Sequence, residues 1–344
     1  MPADLKVGIV GVGVMGADHA ERIVRRVAGA QLVAVSDPDR DRARELAAGH
    51  DGVRPIADPL DLIDDPEVDA VILASPGFVH EEQLLACIAR EKFVMCEKPM
   101  TMDAQSSLRV LDAETKGGRP LVQVGFMRRF DPDYAQMKQL LDSGRLGRTL
   151  LLHNVHRNKS ATTQAGASDL IVRDSLVHEV DVARFLFGEE IVSITVLSPA
   201  ASSGAPEGVV DPQVALFQMA GGGIVTSEVF VNSQVGYEVR CEAVAERGSI
   251  ALGQNGSGLV TTSAAEPDGI WGGTVAPDFR ARFARAYDLE IQSWVDATRR
   301  GEVTGPTTWD GYAATAVCVA GMESLGTGLP VPVSLVDRAA GGRG

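Results

Sequence analysis

Glu97-Lys98-Pro99 ends an apolar run, Val94-Met95-Cys96, on two opposite charges and a residue of fixed φ. An ordinary turn needs neither charge. An ammonium group at the end of a strand can hydrogen-bond a hydroxyl and stabilise an alkoxide as it forms. Such a lysine needs a base, and the stretch DSLVHEVDVARFLFG (174–188) offers one. On an α-helix Asp174 and His178, spaced i, i+4, share a face with Cβ atoms roughly 6 Å apart, and Asp181 lies three residues beyond His178. His178 suits the base because imidazole titrates near neutrality. Asp174 would orient that ring or bind a hydroxyl. The bland alternatives are a solvated Glu–Lys pair and a surface Asp–His ion pair. The Lys98–Pro99 bond is expected trans, the default for X–Pro, with cis as the alternative.

A second group lies near the N-terminus. Gly11, Gly13 and Gly16 form GVGVMG after an apolar run and before the helical pattern ADHAERIVRRV, and the next apolar run ends at Ser36-Asp37. In that setting glycines allow a tight turn, close approach of a pyrophosphate, and close helix–sheet packing. The helix start then offers unpaired N–H groups to phosphate. Val12 and Met15, within the loop, count with the glycines as cofactor contacts. Asp37 stands where a carboxylate can bind ribose hydroxyls and repel a 2′-phosphate, which favours NAD over NADP. Arg40 and Arg42 nearby count slightly against that preference, although a solvated helix face explains them equally well. Ser75-Pro76 follows another apolar run, at the strand ends where such sheets bind ligands. His80 fits either a cofactor contact or a structural role. Glu97 offers a carboxylate to the cofactor or to Lys98.

These residues need a frame. Apolar runs at Val7–Val10, Leu32–Ser36, Ala70–Ala74, Lys92–Cys96 and Leu121–Val124 alternate with helical patterns, including Asp103–Gly117. That predicts an α/β fold with an N-terminal doubly wound parallel sheet of Rossmann type over residues 1–125. After Gly125 helical patterns at 131–143 and 169–187 give way to runs rich in Val, Ile and Thr. Glycine-bearing turns at 221–223 and 247–249 join some of them. Residues 126–338 are therefore expected to form a second α/β domain with a large, open-faced, mainly antiparallel sheet. Helices return at Phe279–Arg300 and Trp309–Gly326, and the tail 339–344 is expected to be disordered. In the strand LLLHNVHRN (150–158), Asn154, His156 and Asn158 alternate onto one face, as a polar lining or a solvent-facing stripe.

The chain has 344 residues, 45% of them hydrophobic, enough for two domains. Its net charge of −14 argues against nucleic acid and anionic membranes as partners. Cys87, Cys96, Cys241 and Cys318 are scattered, so neither disulfides nor a zinc site is expected, and a cytoplasmic location fits. His153 and His156 point to opposite faces and no HExxH occurs, so no metal is expected. The N-terminus lacks the pattern of a signal peptide, and no run of about 20 apolar residues predicts a membrane span.

The glycine loop, EKP after a parallel strand, and D-x-x-x-H in the second half together resemble the Gfo/Idh/MocA oxidoreductases. LVQVGFMRRFD (121–131), HNVHRN (153–158), DSLVHEVDV (174–182), GYEVRCE (236–242) and GPTTWDGY (305–312) resemble the inositol dehydrogenases among them. The likeness runs over nearly the whole chain. It implies a Rossmann domain followed by an open-faced domain whose sheet makes subunit contacts, in homotetramers. It implies Lys98, Asp174 and His178 at the reacting carbon, and further substrate contacts at Met127, Arg128, His156, Asn158 and Tyr237. The implied activity is NAD-dependent oxidation of a small polyol, nearest to myo-inositol giving 2-keto-myo-inositol. Another inositol isomer or a sugar such as glucose is the alternative substrate. An NAD-retaining glycoside hydrolase and a non-catalytic NAD-binding protein are the other readings. The loop SATTQAGAS (160–168) is not among the motifs that carry the likeness, and a place beside the pocket would count against the substrate assignment.

Overall fold

Strands covered on both faces have no polar side, and the all-apolar runs become such strands. The computed structural model describes residues 3–160, 168–253 and 275–337. β1 (Leu5–Val10), β2 (Ala30–Ser36), β3 (Arg54–Ile56), β4 (Ala70–Leu73), β5 (Phe93–Glu97) and β6 (Val122–Gly125) form a parallel sheet in the order β3-β2-β1-β4-β5-β6. The crossovers are α1 (Val14–Arg25), α2 (Arg40–Ala48), α3 (Pro59–Asp64), α4 (Gly77–Ala89) and α5 (Ala104–Gly117). This is the doubly wound order, with its switch point between β1 and β4. Asp39, Asp58 and Asp103 cap α2, α3 and α5 by accepting first-turn N–H groups. The apolar pattern does not announce β3 or α3. The first is three residues with no buried side chain, and the second is a short helix set by its Asp58 cap and Pro59.

Alternating patterns build the second sheet. After α6 (Pro132–Asp142) come β7 (Thr149–Arg157), α7 (Val177–Phe187), β8 (Ile191–Leu197), β9 (Gln213–Met219), β10 (Ile224–Phe230), β11 (Glu238–Ala245) and β12 (Gly248–Leu252). Two long helices, α8 (Phe279–Thr298) and α9 (Thr308–Thr327), precede the short β13 (Val331–Pro332). The sheet order is β12-β11-β7-β10-β9-β8-β13, and the β7–β10 pair alone is parallel. Along β9, β10 and β11 buried positions alternate with more exposed ones, so one face is covered and the other is open. On the covered face Met137 of α6 meets Cys241, and Ser324 of α9 accepts the Val196 N–H at 2.8 Å.

Of the described residues, 3–126, 287–315 and 336–337 form one compact unit, and the remainder form the other. The change of pattern after Gly125 marks the first crossing between units but carries no sign of the return at Tyr287. The core of the first unit joins Val7, Ile9, Val35, Ile72 and Met95 of the sheet to Ala20 and Ile23 of α1. Ile291, Trp294 and Val295 of α8 belong to the same core. Residues 254–274, residues 161–167 of the SATTQAGAS loop, and the tail 339–344 lie outside the described residues.

Candidate active site

In the first unit the glycine loop leaves β1 with Gly11 at φ +83, a conformation that disfavours a side chain. A Cβ on Gly16 would stand 1.8 Å from the Gly11 carbonyl oxygen, which shows how closely α1 approaches the turn. A Cβ on Gly13 would meet nothing within 4 Å. Gly13 is also the N-cap of α1 and gives its first-turn N–H groups no side-chain acceptor. Open space beside a helix start that has no side-chain cap fits a dinucleotide pyrophosphate. Asp37, buried at the end of β2, accepts the Val12 N–H at 2.8 Å and the Asp39 N–H at 2.9 Å, and Arg42 Nη1 lies 3.4 Å away. The carboxylate thus braces the loop. The Val12 side chain belongs to the core, whereas Met15 is half-buried in the first turn of α1.

The loops after β4 and β5 are tied to one another. Ser75 Oγ donates to Gln83 at 2.6 Å, and Pro76 is exposed as the N-cap of α4. His80 is buried, with Nε2 2.8 Å from the Ser75 carbonyl and Nδ1 3.0 Å from the Pro99 carbonyl. Burial pushes its pKa down, against the pull of those two carbonyls. Its imidazole bridges the two loops. The Lys98–Pro99 bond is cis, contrary to the trans default. Glu97 ends β5 buried, its Oε1 2.8 Å from His19 Nε2 and its Oε2 accepting the Lys98 N–H at 3.3 Å. Burial would raise the Glu97 pKa, but the His19 hydrogen bond and the charges of His19 and Lys98 outweigh it and hold the carboxyl below its usual range. His19 went unnoticed in the sequence because it occupies an unremarkable position in a helical pattern.

The second unit holds a buried polar cluster. The 3₁₀ turn Met127–Phe130 carries Met127 and Arg128, both buried. Arg128 Nη1 donates to Glu179 Oε1 at 2.5 Å, and Nη2 lies 3.3 Å from His156 Nδ1. His156 Nδ1 is 3.2 Å from the same Glu179 oxygen. The His156 ring meets the Tyr237 and His178 rings edge-on, with centroids 5.5 and 6.0 Å away. Burial would raise the Glu179 pKa, but the Arg128 charge and the His156 hydrogen bond hold it below the usual carboxylate range. Burial also raises the Tyr237 pKa, with Arg128 opposing through charge and a hydrogen bond. Asn154 and His156 of β7 are buried and Asn158, just beyond it, is half-buried, so the stripe does not face solvent.

Asp174 and His178 do not share one α-helix. Asp174 falls in the π-helix Ile171–Leu176, and His178 is the second residue of α7. π turns of this kind recur at functional sites. The Asp174 side chain is 41% exposed and pairs with Arg173 at 3.0 Å, whereas His178 is buried. Asp181 is buried and gripped by Arg129 Nε and Nη2, at 3.1 and 2.6 Å. Glu179 escaped the sequence reading because a charged residue on a helix reads as solvent-facing. Its only signal was its neighbour His178. Among the described residues no group of three His, Cys, Asp or Glu is arranged to hold a metal, and no helix is long and apolar enough to cross a membrane.

Comparison with known proteins adds to this geometry. Residues 5–126 match the profile described as "Oxidoreductase family, NAD-binding Rossmann fold", and residues 134–251 match the "GFO/IDH/MocA C-terminal domain". Inositol 2-dehydrogenase 2 of Mycolicibacterium vanbaalenii is 54% identical, over 98% of this chain and 97% of its own. Inositol 2-dehydrogenase of Mycolicibacterium smegmatis is 53% identical, over 98% and 99%. Among solved structures, myo-inositol dehydrogenase from Lactobacillus casei in complex with NAD(H) and myo-inositol superposes with a TM-score of 0.89. It shares 31% identity, over 97% of this chain and 98% of its own. Scyllo-inositol dehydrogenase from the same organism, with NAD(H) and scyllo-inositol, has a TM-score of 0.83 at 25% identity, over 96% and 99%.

Proposed function

Because the chain belongs to the Gfo/Idh/MocA oxidoreductases, we propose that it is an NAD-dependent inositol dehydrogenase that oxidises myo-inositol to 2-keto-myo-inositol. The observation that carries the reading is the buried cluster of Arg128, His156, Tyr237 and His178 in the second unit. Buried polar groups that expect hydroxyl partners select a polyol and reject analogues that lack them. Of the two Lactobacillus casei enzymes, the one named for myo-inositol stands at 31% identity and TM-score 0.89 and the scyllo-inositol one at 25% and 0.83, which supports the myo isomer.

Residues 3–126 carry the nucleotide site. Gly11, Gly13, Gly16 and the start of α1 hold the pyrophosphate, and Asp37 the ribose. Val12 and Met15 line the turn, while Ser75, Pro76 and Glu97 flank it and His80 braces its loops. Bound NAD supplies the acceptor for the substrate hydride. His178 takes the hydroxyl proton as a neutral imidazole. Lys98 supplies an ammonium group that stabilises the alkoxide as it forms. Asp174 accepts from a neighbouring hydroxyl. Met127, Arg128, His156, Asn158 and Tyr237 fix the ring. The second domain also carries assembly, through its open sheet face, into a cytoplasmic homotetramer.

A panel of myo-inositol, scyllo-inositol, other isomers and glucose with NAD⁺, followed by the absorbance of reduced nicotinamide, tests the reading. The largest kcat/KM is expected for myo-inositol. Failure to reduce NAD with every cyclitol overturns it.

A further inference from the structure

Glu179 follows His178 in the chain, is wholly buried, and has no part in the chemistry above. Its Oε1 meets Arg128 Nη1 at 2.5 Å and His156 Nδ1 at 3.2 Å. His156 Nδ1 also lies 3.3 Å from Arg128 Nη2. The two contacts ask opposite things of one nitrogen. Toward Glu179 it must carry a proton, and toward Arg128 it must present a lone pair.

Charge and hydrogen-bond supply decide between them. Arg128 and Glu179 cancel, and a cationic His156 would leave the buried cluster with a net positive charge, so the ring is neutral and bears one N–H. With that N–H on Nε2, an imidazole lone pair would face the carboxylate oxygen. Glu179 would then have one donor for both oxygens, and its Oε2 already lacks a hydrogen-bond partner among the described residues. With the N–H on Nδ1, Glu179 gains a second donor. Arg128 keeps Glu179 and the Tyr237 hydroxyl as acceptors.

We propose that Glu179 is a positioning residue that fixes His156 as the Nδ1–H tautomer, so that Nε2 meets the substrate as an acceptor. This deepens the inositol reading and rests on His156 as a substrate contact. The hydroxyl at His156 must then donate, and a cyclitol bearing fluorine there, which cannot donate, is rejected.

The test is a long-range ¹H–¹⁵N correlation spectrum of the ¹⁵N-labelled full chain at neutral pH without substrate. His156 is assigned by the signals lost in His156→Asn. In the wild type, Nδ1 is expected protonated and Nε2 unprotonated. Glu179→Gln, whose amide can donate to Nδ1, is expected to move the proton to Nε2 and to lower kcat/KM about tenfold to a hundredfold. A wild-type ring protonated on Nε2 overturns the proposal, as does a Glu179→Gln protein with an unchanged tautomer. If Glu179→Gln does not fold, the wild-type spectrum decides alone. The spectrum needs no turnover, so a wild type that oxidises no cyclitol overturns the functional reading while the tautomer is still read independently.

Discussion

In the proposed mechanism Lys98 acts on an oxygen whose negative charge grows only as the reaction proceeds. Its removal is therefore felt in the transition state more than in cofactor binding. Lys98→Ala is expected to lower kcat about a hundredfold or more while the Kd for NADH, read by fluorescence titration, stays within a few-fold of wild type. Undiminished turnover would remove Lys98 from the mechanism. The neighbouring Glu97 governs acid stability. Its carboxyl is held below the ordinary value of 4.5, so the folded chain binds fewer protons than the unfolded one in acid. Stability from this group is complete above the unfolded value and is lost as the pH falls through the folded one. Urea midpoints measured from pH 7 downward are expected to fall less steeply below pH 4.5 for Glu97→Gln than for the wild type.

At the scale of elements, α7 is the piece that holds the cluster. It begins in a π turn, carries His178 and Glu179 at its start, and ends at Gly188 with φ +69. A side chain in that left-handed conformation costs about 1–2 kcal/mol. Gly188→Ala is expected to lower stability by about that amount in a urea titration, and an unchanged midpoint would show that the cap relaxes freely. The elements that the sequence made legible share one property, a local pattern. β4 and β5 are buried at every position, the glycine loop sits between strand and helix, and the stripe of β7 alternates. What stayed hidden depends on partners far along the chain. His19 matters through Glu97, and Glu179 through Arg128 and His156. Asp181 is tied in the same way, through Arg129. No periodicity encodes such pairs. The π turn was illegible for a related reason, since its residues read equally well as an α-helix.

For the whole molecule, the proposed homotetramer is built on the open face of the second sheet. Arg157, Glu228 and Glu238 form an ion-paired network there, and a cavity of about 460 Å³ beside it is lined by Val214, Phe230 and Val235. Light scattering is expected to give four times the chain mass of 36.3 kDa. Val214→Asp, which places a charge on that face, is expected to yield smaller species that still bind NADH. A wild-type monomer would remove the face from assembly.

The order of synthesis bears on the first unit. Ile291, Trp294 and Val295 complete a core begun by Val7 and Ile9, yet they leave the ribosome long after the strands they cover. The nucleotide half therefore emerges early with one wall missing and closes only when translation is nearly finished. A chain stopped at residue 126 would keep every glycine of the loop and still show bare hydrophobic surface to the chaperones that meet it.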